Sequence, residues 1–162
     1  AKYPGSRLGQ SLKNVASLIS SGLPTRIYFV SLGGFDTHQG QLNTHQRLMR
    51  ELSTSLAAFQ KDLEARGIDD QVMTMTFSEF GRRPSENESG GTDHGTAAPL
   101  FIMGNHIDKQ IVGSAPDLNL KNNKDLQFST DFRRVYSTIL DKWMECDSER
   151  VLKRKFKHLP FV

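Results

Sequence analysis

Cysteine is almost absent: Cys146 is the only one in 162 residues. No internal disulfide can form, and a cluster of thiolates cannot hold a metal. Long hydrophobic runs are missing too. No stretch approaches the roughly 20 apolar residues that cross a bilayer, so no membrane span is expected. The N-terminus carries no signal-peptide pattern. The glycine signatures of nucleotide chemistry, GxGxxG and the phosphate-binding loop, are lacking, which argues against a nicotinamide- or nucleotide-dependent enzyme. A large excess of one charge sign is lacking, the formal net charge being +3. Much of the excess lies in the tail, where Lys153, Arg154, Lys155 and Lys157 follow Arg150. A nucleic-acid binder would pair a basic face with aromatics free to stack; no such motif is present, and the tail reads as a solvated face.

What is there suits an ordinary folded protein. Hydrophobic residues make up 36% and charged ones 24%, which excludes global disorder. The length allows one compact domain over residues 1–162 with a core of its own. The chain opens Ala1-Lys2-Tyr3-Pro4 without an initiator Met, so a processed product or the C-terminal piece of a longer protein is expected.

Residues 8–20 read as a helix, because Leu8, Leu12, Val15, Ala16, Leu18 and Ile19 form a broad apolar stripe at helical spacing before Gly22 and Pro24. Arg26 to Leu32 (RIYFVSL) is β-branched and aromatic, the mark of a buried strand. Leu42, His45, Met49, Leu52, Leu56, Phe59 and Leu63 predict a long helix ending at Gly67. Gln71 to Phe77 (QVMTMTF) reads as a second strand, and strand–helix–strand favours parallel pairing through a right-handed crossover. Ser78 to Ala98 has no apolar period and reads as a long loop, of the kind that is either functional or disordered. Pro99 to Gly104 restores a strand, and 107–127 is loop again, with Pro116 and Asn122-Asn123 as turn signals. A last helix is expected from about Asp131 to Met144, capped by Ser129 or Thr130. In the tail, Val151, Leu152, Phe156, Leu159, Phe161 and Val162 can lie over the core. The expected fold class is α/β, a mostly parallel sheet flanked by helices.

In such a sheet, ligands collect beyond the carboxyl ends of the strands. Gly33-Gly34-Phe35-Asp36-Thr37-His38 and Ser78-Glu79-Phe80-Gly81-Arg82-Arg83 follow the first two strands directly. A third cluster, Gly90-Gly91-Thr92-Asp93-His94-Gly95, precedes the third strand, so a long loop must return it to that edge if the strand is parallel. Carboxylate and imidazole suit Zn, Mn, Mg or Ca. Asp36, His38, Glu79, Asp93 and His94 are the candidate metal ligands, with Arg82 and Arg83 as guanidinium contacts to an anion. The plainer alternatives are a turn capped by Asp93 and a structural Glu79–Arg82 salt bridge. His45 reads as a core histidine, and His106 and His158 as surface residues.

The stretches SLGGFDTHQGQ (31–41), TFSEFGRRPSENESGGTDHG (76–95), PLFIMG (99–104) and STDFRRVYSTILDKW (129–143) resemble a bacterial family catalogued as domain of unknown function 1501. That family is placed in the alkaline-phosphatase-like superfamily, with sulfatases and cofactor-independent phosphoglycerate mutases. The resemblance implies an alkaline-phosphatase-like fold of which this chain is the C-terminal portion. It implies metal ligation by Asp36 and His38, and a further ligand at His94 ahead of Pro99. The superfamily's acid–imidazole pair falls on Glu79 and Phe80, and Phe80 cannot ligate, so a second metal would be held differently. The nucleophile is expected on a segment upstream.

The expected function is hydrolysis of a small anionic phosphate or sulfate ester with a divalent metal as cofactor, zinc before manganese, magnesium or calcium. His38 would act as ligand or general base, and Arg82 would hold the anion. The alternative is a non-catalytic exported module binding a metal or ligand on a degenerate hydrolase fold. The resemblance also implies a periplasmic or exported location. Oligomeric state is not readable from the residues.

Overall fold

A computed structural model describes residues 1–108, 110–120 and 125–162, and the Asn122-Asn123 turn signal lies outside them. The described chain divides into two units, residues 1–74 with 85–93 and residues 75–84 with 94–162.

The first unit is built on two helices. α1 (Arg7–Ser20) starts at Ser6, whose hydroxyl accepts from the Gly9 N–H at 3.2 Å, satisfying one of the donors a helix start leaves open. α2 (Gln41–Arg66) contains no Gly or Pro and is rich in Leu, Ala, Gln, Glu and Arg, which carries it through 26 residues to Gly67. Leu8, Leu12 and Ala16 of α1 pack with Phe59 and Leu63 of α2, and Val30, Leu32, Leu52, Leu56 and Val72 pad that cluster. Both helices stand where the apolar spacing predicts them. The buried stripe of α2 is rotated from the expected one: Leu48, Ser55, Phe59, Asp62 and Leu63 are buried, while Leu42 is 80% exposed and His45 faces solvent. His45 is therefore not a core histidine; its ring meets the edge of Phe35 at 5.9 Å between centroids.

The second unit holds the C-terminal elements. α3 (Phe132–Thr138) is capped by Asp131, whose carboxylate accepts from the Arg133 N–H, one residue past the expected Ser129 or Thr130. It widens into a π-turn (Ile139–Trp143), and Met144 N–H reaches back to the Ile139 carbonyl at 2.9 Å. α4 (Ser148–Leu152) follows. Val135, Leu159 and Phe161 form the buried cluster, so two of the expected tail residues do cover a core, while Val151 and Val162 stay exposed. His158 is not a bare surface residue: its Nε2 lies 2.6 Å from Asp141 Oδ2.

The strands overturn the expected α/β architecture. Four short strands, β1 (Thr74–Met75), β2 (Gly81–Glu86), β3 (Thr92–Gly95) and β4 (Ile102–Met103), form two two-stranded antiparallel sheets, β1 with β4 and β2 with β3. The unit boundaries pass through β1, β2 and β3. Among the described residues there is no mostly parallel sheet and no alkaline-phosphatase-like fold. Residues 26–32 form no strand among the described residues, yet they alternate in the period of two that extended backbone imposes, Ile27 and Phe29 outward and Val30 and Leu32 against the first core. β-propensity reports a fit to a half-buried pleated surface and cannot specify a partner strand. The loop expected at 78–98 contains the β2–β3 hairpin instead. A hairpin lacking a buried apolar face leaves no alternation to read.

Candidate metal centre

The first unit brings three of the candidate ligands together. Gly33 and Gly34 end the extended segment, and Thr37 turns the chain by donating its N–H to the Phe35 carbonyl at 2.9 Å. Thr37 is buried and the residues flanking it, Asp36 and His38, are exposed. Asp36 Oδ1 lies 3.0 Å from His38 Nε2, and Asp93 Oδ1, arriving on β3, lies 3.7 Å from His38 Nδ1. One imidazole thus has a carboxylate at each nitrogen.

That arrangement suits a cation. Two donors each about 2.1 Å from an ion lie about 3 Å apart at an octahedral angle and about 3.4 Å apart at a tetrahedral one, and the Asp36–His38 distance is 3.0 Å. A carboxylate at the other ring nitrogen is the usual partner of a metal-bound histidine, fixing its tautomer and orientation. Asp36 and His38 could share an ion in this way, and both are exposed. Without an ion the Asp36 contact is within hydrogen-bond reach, whereas Asp93 stands at ion-pair distance only.

The hairpin fastens this loop to the start of α2. Gly40 begins the helix at φ +49°, a left-handed conformation that glycine adopts without strain, and no side chain caps it. Carbonyls of the hairpin turn serve instead: Gly40 N–H donates to Ser89 O at 3.0 Å and Gln41 N–H to Gly90 O at 2.8 Å. Thr92 Oγ1 donates to Gln41 Oε1 at 2.9 Å. Gly91 passes so close to the loop that a Cβ there would collide with the His38 carbonyl.

The model of a protein family described as "Protein of unknown function (DUF1501)" matches residues 18–156. The chain belongs to that family. No curated protein and no solved structure matches it. The family match takes in both units and every candidate ligand.

In the second unit the remaining candidates are placed differently. His94 stacks flat on Phe80, with ring centroids 3.8 Å apart and planes within 5°, and the Arg82 guanidinium stands 5.0 Å from the same ring centroid. Glu79 is exposed and makes no ion pair with Arg82 among the described residues; its neighbour Ser78 donates to the Phe80 carbonyl at 3.0 Å. Arg83 is committed to Asp125 at 3.0 Å and is not an open anion contact. Asn87 and Gly91 were not legible as site residues. The run Ser85-Glu86-Asn87-Glu88-Ser89-Gly90-Gly91 has turn composition, however, and that signal could have located the hairpin.

Proposed function

We propose that this DUF1501 chain carries a divalent-metal site founded on Asp36 and His38, serving hydrolysis of a small phosphate or sulfate ester. The observation that carries the reading is the His38 imidazole lying between two carboxylates in an exposed loop, with Asp36 3.0 Å from one nitrogen and Asp93 3.7 Å from the other. Nitrogen and oxygen donors favour zinc, with manganese, magnesium or calcium as the harder alternatives. A bound cation would supply Lewis-acid polarisation of an ester oxygen and a more acidic water.

This chain's residues would do the rest. Asp36 and His38 bind, Asp93 orients the His38 ring, and His94, next to Asp93 on the same strand, is a further candidate donor. Arg82 is the candidate for holding the anion on its chemistry alone. Glu79 is the weakest of the candidate ligands, being engaged with none of the others. Kinship with sulfatases and phosphatases, and export from the cytoplasm, belong to this proposal as what the SEFGR and GTDHG motifs imply.

Elemental analysis of the purified protein, followed by zinc titration and a screen of phosphate and sulfate esters, tests the reading. Metal at about one equivalent, lost in both Asp36→Ala and His38→Ala, with ester turnover lost in parallel, is the expected result. A metal-free protein whose thermal stability is the same with and without added zinc would overturn it. A second reading, a non-catalytic metal-binding module, is favoured by Phe80, an aromatic stacked on His94 where the resemblance calls for a ligand. Zinc bound with no turnover across the screen would select it.

A further inference from the structure

Asn87 uses every polar atom of its side chain within the hairpin and loop of the first unit. Its Oδ1 accepts from the Ser89 N–H at 3.0 Å and the Gly91 N–H at 2.9 Å, which folds the turn. Its Nδ2 then donates at 3.0 Å to the backbone carbonyl of His38, 49 residues away in the chain. The backbone closes the same turn, with Asn87 N–H on Gly91 O at 2.8 Å and Gly90 N–H on Asn87 O at 3.1 Å. The turn carbonyls so presented receive the Gly40 and Gln41 N–H groups that open α2. His38 is thereby gripped on its carbonyl by Asn87 and just after it by two turn carbonyls. Gly91 leaves no gap for the backbone to relax into.

We infer that Asn87 is the positioning residue for His38: its amide sets the His38 backbone and through it the direction of the imidazole. Asparagine alone fits both tasks at this length. An aspartate would keep the two acceptor contacts of the turn, yet would set an anionic oxygen against the His38 carbonyl. A backbone placed by one side-chain donor is sensitive to losing it, because a ligand must sit within about 0.5 Å of its working geometry. The effect on ligation rests on the metal reading proposed above; the effect on the backbone does not.

The experiment uses the whole chain as wild type, Asn87→Asp, Asn87→Ala and Ser89→Ala, the last altering a hairpin side chain that makes none of these contacts. Amide hydrogen exchange at Gly40 and Gln41 is followed without metal, and zinc affinity is followed against a competing chelator. Both Asn87 variants should exchange about tenfold faster at those two amides and bind zinc about tenfold more weakly, the loss expected for one such hydrogen bond. Ser89→Ala should match wild type in both. Unchanged exchange in Asn87→Asp and Asn87→Ala overturns the inference. Faster exchange with unchanged zinc affinity also overturns it, leaving Asn87 a role in the hairpin only. If wild type binds no zinc, the metal reading fails while exchange still decides whether Asn87 holds His38.

Discussion

Replacing Asp141 by alanine should lower the unfolding free energy by about 3 kcal/mol, from the bonds its carboxylate makes. Ser148 donates its N–H to Oδ1 at 2.8 Å and its hydroxyl to Oδ2 at 2.7 Å, and His158 Nε2 lies 2.6 Å from Oδ2. Ser148 is buried, so losing its acceptor strands two donors at about 1–3 kcal/mol each. The hydroxyl recovers part of this through Ser137 Oγ at 2.9 Å. Because the Asp141 side chain is 27% exposed, the His158 contact is screened toward the about 0–1 kcal/mol of surface pairs. Asp141→Asn keeps the shape and loses the charge, for about half the effect. The Ser148 hydroxyl, then its backbone N–H, hold the Asp141 carboxyl down to about 2 from 3.8, with His158 adding to them and burial opposing. Between those values the unfolded chain binds more protons than the folded one. The contribution is therefore complete above pH 3.8 and disappears as the pH falls to about 2. Urea unfolding of wild type and both variants at pH 7, 4 and 2.5 reads it, since other carboxylates cancel in the difference. An unchanged midpoint for Asp141→Ala at pH 7, or a gap that stays constant into acid, would refute the reasoning.

Other consequences can be measured on the same protein. Leu63→Ala should cost about 2–5 kcal/mol in thermal denaturation because the side chain is fully buried between α1 and α2, whereas Leu42→Ala, 80% exposed, should stay within about 0.5 kcal/mol. Tyr3→Phe removes the 2.9 Å donor to Asp62 and should cost about 1 kcal/mol at neutral pH. Burial pushes the Asp62 carboxyl up, but hydrogen bonds from Arg66 and Tyr3 outweigh it and leave the group below 3.8, so that cost should shrink as acid protonates it. Gly91→Ala should force the hairpin off the His38 backbone, costing about 1–3 kcal/mol and weakening zinc binding in the chelator assay.

Helices were legible where a single face decides burial. α1 and α2 fall within a residue or two of their apolar periods because each period reports a stripe that must meet a core. Strands were not, since RIYFVSL and QVMTMTF state only that a pleated, apolar segment exists. Of the candidate ligands, Asp36, His38 and Asp93 meet in the first unit, while Glu79 stands apart and Arg83 is taken by Asp125. Their residue types could be read as donors, but their company could not.

Local chemistry along the chain set the helices and their stops, the caps of α1 and α3, the family membership and the supply of carboxylate and imidazole donors. Those depend on neighbours within a few positions. Tertiary structure decided that the apolar runs would not build a parallel sheet, that an unpatterned polar stretch would fold back as a hairpin, and that Asn87 would reach His38. Such outcomes turn on hydrogen bonds between segments far apart in the chain, where a donor's partner is chosen by three-dimensional closure and leaves no period behind.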